Sequence, residues 1–106
     1  MSDTTNKKEY SSISEFYPFY LQEHKNKTNR RLHFIGTTLF VILTVVMLAT
    51  QNWALFILLP VAGYGFAWVG HFVIEKNRPA TFTYPFYSFV CDFKMYFDIL
   101  RGRVSA

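Results

Sequence analysis

Two apolar runs dominate the pattern of this chain of 106 residues. No Asp, Glu, Lys or Arg occurs from Leu32 to Ile74, and all charged residues flank that stretch. The first run, about Leu32 to Thr50 (LHFIGTTLFVILTVVMLAT), has 19 residues. At ~1.5 Å rise per residue it is about 28 Å long as a helix, close to the ~30 Å hydrocarbon core of a bilayer. The second run spans about Trp53 to Ile74 (WALFILLPVAGYGFAWVGHFVI). Only Gln51–Asn52 separates them, too short for a folded loop, so the spacing predicts two antiparallel neighbouring spans. Pro60 is placed to kink the second. Gly63, Ala67 and Gly70 form a small-residue face that lets another helix approach closely, a possible route to a homo-oligomer. In the first run His33, Thr37, Thr44 and Gln51 fall within about 40° of one another at ~100° per residue. Such a polar stripe on an apolar helix faces protein rather than lipid.

The flanks read as amphipathic helices. Ser12–Ile13–Ser14–Glu15 fits a capping box. Ile13, Phe16, Tyr17, Tyr20 and Leu21 then line one helix face, and His24 projects from the same face. The KNKTN segment, Lys25–Asn29, is turn sequence. After the second span a charged loop (Glu75 to Thr81) leads to Phe86, Phe89, Val90, Phe93, Phe97 and Leu100 at helical spacing, with Asp92 and Asp98 between. This predicts a helix over about Pro85 to Arg101, too charged to span, lying in the interface or covering a site. Residues 1–10 are polar and expected to be disordered. The expected fold class is therefore all-α and integral membrane. It comprises one domain, residues 11–106, with spans at about 32–50 and 53–74 and an amphipathic helix at each end.

A soluble domain of this size would place charges on the exposed face of every helix. With charged residues at 17% and none within the runs, membrane residence is the better account. The net charge of +4 then reflects basic residues flanking apolar spans, and no nucleic-acid partner is expected. By the positive-inside rule both termini face the cytoplasm, and a bacterial inner membrane or an endoplasmic reticulum membrane fits equally. The first thirty residues do not read as a signal peptide. Cys91 is the single cysteine, so no internal disulfide forms.

The candidate chemistry lies in three histidines, His24, His33 and His71. His33 and His71 lie about 18 and 19 positions from the turn, hence at nearly one depth in a hairpin of ~1.5 Å rise per residue. His24 falls on the same side. Three imidazoles at one membrane edge make a candidate metal site, for which iron or zinc is suited. The plainer alternative is interfacial histidines bonded to backbone carbonyls. Glu75, one turn after His71, is a candidate ligand or supporting partner, and Glu23 a weaker one. Arg78, with Lys76, Arg30 and Arg31, can hold a carboxylate headgroup, although topology and lipid phosphate account for most of these charges. Asn77 is a second candidate for substrate contact, and with Asn29 also for holding loops.

Three motifs carry a resemblance. Glu23–Asn26 reads E-H-x-N, Asn29–Gly36 reads N-R-x-L-H-x-x-G, and Gly70–Ala80 reads G-H-x-x-x-E-x-N-x-P-A. Together they resemble a family of small membrane iron-dependent 2-hydroxy fatty acid dioxygenases, acting in fatty acid α-oxidation during phytosphingosine breakdown. The resemblance implies that His24, His33 and His71 bind Fe(II). It also implies that a long-chain 2-hydroxy fatty acid and O2 give the acid one carbon shorter, CO2 and water. That oxidation balances without nicotinamide, flavin or 2-oxo acid, and no Gly-rich nucleotide loop follows a strand. The acyl tail would lie along the spans or in membrane lipid, its head at the histidines. Two other readings stay open: a haem-binding electron-transfer protein, and a structural membrane hairpin without metal.

Overall fold

A computed structural model describes residues 9–106. Among these it is all-helical, with no strand and four α-helices: α1 (Ile13–Glu23), α2 (Lys27–Thr50), α3 (Leu58–Trp68) and α4 (Pro85–Leu100). A 3₁₀ segment, Trp53–Ile57, precedes α3, a π-helical segment, Val69–Glu75, extends it, and a 3₁₀ turn, Ala80–Phe82, precedes α4. Residues 1–8, most of the expected disordered start, lie outside the described residues. Tyr10 packs against Phe16, Phe19 and Tyr84 at centroid distances of 5.3–5.5 Å.

Local chemistry explains the helix starts. The Ser12 hydroxyl accepts the Glu15 N–H at 3.2 Å, as the cap predicts. The reciprocal arm shifts by one residue, for the Glu15 carboxylate reaches Ser11 instead. α2 begins at Lys27, earlier than the expected Leu32, because the Asn26 side chain accepts the Thr28 N–H at 2.8 Å. The turn expected over Lys25–Asn29 narrows accordingly, and Asn29 is fully buried inside the helix. α2 ends where Gln51 turns left-handed at φ 57°.

The second apolar run is one rod of three textures. Pro60 has no N–H to give the Phe56 carbonyl, and the tighter 3₁₀ winding ends just there, at Ile57. Pro60 thus sits in the first turn of α3, where a missing donor costs little. Lys27–Thr50 and Trp53–Glu75 are both long and apolar enough to cross a membrane, with 17% and 28% of their most apolar windows buried. A core helix of a soluble protein would be mostly buried; these two present most of their side chains outward, among them Ile42, Val45, Leu48, Phe56, Ile57 and Val61.

Close backbone approach joins the two rods. A Cβ on Gly36 would stand 2.9 Å from the Ala62 carbonyl oxygen, and one on Gly70 would stand 1.7 Å from Asn29 Oδ1. Gly63 faces the Phe40 ring. The small-residue face expected to receive another helix is therefore filled by α2 of the same chain.

α1 packs on α4. Phe16, Tyr20, Ala80, Cys91 and Met95 form a buried cluster, and the Tyr17 hydroxyl donates to Asp98 Oδ2 at 2.7 Å. α4 buries Ser88, Cys91, Met95 and Asp98 and leaves Phe86, Phe89, Phe97 and Leu100 exposed. Most of the apolar stripe that marked this helix as amphipathic is therefore on its outer face, while half-buried Phe93 turns to Phe40 of α2. α1 brings tyrosine hydroxyls that need acceptors, so the small and acidic side of α4 docks there.

Gly70→Ala should displace Asn29 and destabilise the fold by about 1–3 kcal/mol, the usual cost of overpacking. Gly65 has nothing within 4 Å of an added Cβ, so Gly65→Ala should leave the thermal midpoint unchanged or raise it slightly. Thermal unfolding in detergent distinguishes the two; equal midpoints would show that the Asn29–Gly70 fit is not needed.

Candidate metal centre

Three elements each deliver one imidazole. His24 ends α1 as its C-cap, His33 lies in the second turn of α2, and His71 lies in the π-helical segment. All three are at most 5% exposed. Extra-wide π turns occur mostly as local insertions at functional sites. Here the chain reverses just after that segment through Lys76, at φ 59°, and the Asn77 N–H returns to the His71 carbonyl at 2.9 Å.

The hydrogen bonds decide where each ring proton sits. His24 Nδ1 lies 2.6 Å from the Tyr20 carbonyl and His33 Nδ1 lies 3.0 Å from the Asn29 carbonyl. A carbonyl only accepts, so both Nδ1 atoms carry the proton. Asn77 Nδ2 donates to the Glu23 carbonyl at 3.0 Å. That orients the amide so that its Oδ1, 2.7 Å from His71 Nδ1, accepts as well. With every Nδ1 a donor, all three Nε2 atoms present lone pairs. They converge: His24 Nε2 is 3.0 Å from that of His33 and 2.9 Å from that of His71. The candidate ligand atoms all lie within 4.8 Å of one another.

Lone pairs held this close in a buried space repel unless a cation lies between them. A proton is a poor solution, because burial, with His33 and His71 beside it, holds His24 well below the usual imidazole range. A metal ion fits the donor set. Neutral imidazoles offer nitrogen, and each ring is locked by an acceptor on its far side, as metal-ligating histidines require.

The other expected site residues fall elsewhere. The Glu75 carboxylate accepts from the Asn26 N–H at 2.6 Å and the Asn29 side chain at 3.3 Å, so it braces the start of α2. Asn77 serves His71. Arg78 is exposed, its guanidinium 5.1 Å from the Phe82 ring centre. Arg30 donates to the His24 carbonyl at 2.6 Å and to that of Ser105 at 3.2 Å, tying α2 to the end of α1 and to the C-terminal segment. Lys76 and Arg31 are exposed.

Two residues near the site escaped the sequence reading. Tyr20 stacks on His24 at 4.0 Å, and its hydroxyl donates to Asp92. Both line a cavity beside the three histidines, together with Ser88. Burial pushes the Asp92 carboxyl up to about 7, the Tyr20 hydrogen bond opposing it. The available signals were the i, i+4 pairs Tyr20–His24 and Ser88–Asp92. Neither stands out among so many aromatic and polar residues.

A family model described as 2-hydroxy-palmitic acid dioxygenase Mpo1-like matches residues 10–104. The chain belongs to the Mpo1-like family. No curated protein and no solved structure matches it. The Mpo1-like match bears out the resemblance carried by the three histidine motifs and covers every element that builds the site.

For this Mpo1-like chain, Asn77→Ala should strip the acceptor from His71 Nδ1 and weaken metal binding ~10–100-fold, the usual effect of losing such a partner. Competition with a chelator measures it; unchanged affinity would remove Asn77 from the metal centre. A second expectation concerns pH. The Asp92 pKa is raised on folding, to about 7 from 3.8, so its protonated form favours the fold. That contribution is complete at acid pH and is lost as pH rises through about 7. Buried His24 titrates in the opposite sense, so the Asp92 contribution is read as a difference: metal-free wild type should lose stability relative to Asp92→Asn as pH rises from acid to pH 8. Equal slopes in both proteins would contradict the burial of that carboxyl.

Proposed function

We propose that this chain is an integral membrane dioxygenase that uses Fe(II) to convert long-chain 2-hydroxy fatty acids to the acid one carbon shorter. The observation that carries the proposal is the convergence of three proton-free Nε2 atoms on one buried point, in a chain of the Mpo1-like family. Bound iron supplies the redox chemistry with O2. The 2-hydroxy acid plus O2 gives the shortened acid, CO2 and water, which balances in atoms and electrons with no further reductant.

The residues of the chain do the holding. His24, His33 and His71 are the ligands we assign, and Asn77, Tyr20 and Asn29 orient them through Nδ1. Glu75 acts at one remove, by fixing the loop that carries Asn26. Arg78 is placed to meet a head-group carboxylate or a lipid phosphate at the surface. Lys27–Thr50 and Trp53–Glu75 are read as the two antiparallel spans, with both termini cytoplasmic by the charge of their flanks. The exposed phenylalanines of α4 suit an interfacial position. An amphiphilic acid in a bilayer places its polar end at such an edge, where the histidines lie. A haem held axially by His33 and His71 finds no support, because His24 stands between them.

The test is the metal content of anaerobically purified protein, wild type beside His71→Ala, followed by oxygen uptake with a long-chain 2-hydroxy acid. Stoichiometric iron in the wild type, little in the variant, and release of one CO2 per O2 consumed are expected. Wild type that stays free of metal after Fe(II) reconstitution, or a variant that still turns over, would overturn the proposal.

A further inference from the structure

An apolar cleft lies beside the candidate metal centre along α2. Its walls are Thr37 and Phe40 of α2, Leu59 and Gly63 of α3, and Phe89 and Phe93 of α4. Its free interior is about 60 Å³, a narrow slot with an open mouth rather than a chamber. His33, Tyr64 and Asp92 line both this cleft and the cavity at the histidines, so the two adjoin at those side chains. Ionisable groups therefore stand at one end, and the walls beyond are almost wholly carbon. The rim residues Pro60, Tyr64 and Phe89 are exposed on the apolar flank of the molecule, so the cleft opens sideways rather than toward the charged end.

Gly63 sets its width. A Cβ there would make only ordinary contact, 3.6 Å from the Phe40 ring. The close approaches of the two rods are at Gly36 and Gly70 instead. A larger side chain at 63 would thus grow into the cleft without forcing the helices apart. From His33 to Phe40 the helix rises about 10 Å at ~1.5 Å per residue. At roughly 1.2 Å per bond of an extended chain, that is about eight bonds.

We propose that this cleft holds the head-proximal stretch of the aliphatic chain of a fatty acid whose carboxyl end lies at the histidines, the rest of the chain leaving sideways into lipid. The proposal deepens the reading of the centre as a 2-hydroxy fatty acid site and rests on it for the identity of the head group. The wall shared with the histidine cavity selects this occupant, since a tail lodged here brings its polar end up to the histidines. One consequence is weak discrimination among long acids, whose differences lie beyond the cleft.

The test uses full-length, metal-loaded protein in lipid nanodiscs and a 2-hydroxy fatty acid carrying a photoreactive diazirine near its head end. Adducts are mapped by mass spectrometry with and without excess unlabelled 2-hydroxy acid, and separately with excess phospholipid. Labels sensitive to the free acid alone should fall on 37–40, 59–64 and 89–93. Gly63→Leu should reduce them on the order of tenfold at unchanged metal content, while Gly65→Ala, outside the cleft, folds and labels as wild type. A diazirine at the chain terminus should give no acid-sensitive label. Acid-sensitive labels elsewhere, or none, would overturn the proposal. Displacement by phospholipid instead would assign the cleft to a structural lipid tail and overturn it too. Oxygen uptake measured on the same samples separates the two readings: cleft labelling without turnover would refute the dioxygenase while leaving the acid-binding cleft.

Discussion

The imidazole lone pairs of His33 and His71 each stand about 3 Å from that of His24 in a buried space, with each ring proton already committed on the far side. Most of the polar architecture follows from keeping them there. The Tyr20 and Asn29 carbonyls and the Asn77 amide each hold one ring. Glu75 holds the loop that places Asn26 and Asn29, Arg30 holds the carbonyl of His24, and the Glu23 carbonyl fixes the orientation of Asn77. Such a set resists rotation of any one ring, because turning an imidazole would leave a buried donor and a buried acceptor without partners.

The molecule is more polar inside than outside around its middle. His33, Thr37, His71, Asn29 and Ser88 are buried, while isoleucines, valines and phenylalanines cover the surface of both rods. In water this would be a recipe for aggregation. In hydrocarbon it is the favourable arrangement, since polar groups find partners only within the protein. α4 obeys the same inversion: Ser88, Cys91 and Asp98 face in, and Phe86, Phe89 and Phe97 face out.

Much of this was legible in the sequence. Charge-free runs, one short turn and the i, i+3, i+4 spacing on the flanks located all four helices. The near-equal distance of His33 and His71 from Gln51–Asn52 placed them at one depth. What periodicity could not show was which face of α4 is inward. An apolar stripe marks the side that avoids water, and with lipid outside that side need not be the packed one. Nor could spacing reveal the π turn at Val69–Glu75, which carries no residue signature and depends on the tertiary fit of Asn77 beneath His71. The partner of Gly70 was not legible for a related reason, because a small residue marks a close approach without naming what approaches. Glu75 was tied to His71 by helical spacing, yet its carboxylate turns to the backbone of Asn26, a partner 49 positions away in sequence.

His24 does not belong to the rods at all. It reaches the other two ligands only because α1 lies on α4, held by the Phe16 and Tyr20 contacts and by the Tyr17–Asp98 hydrogen bond. The two rods alone hold two of the three imidazoles. Any ion that needs all three imidazoles would therefore depend on α1 being docked: with that helix lifted away, the rods keep only His33 and His71 together.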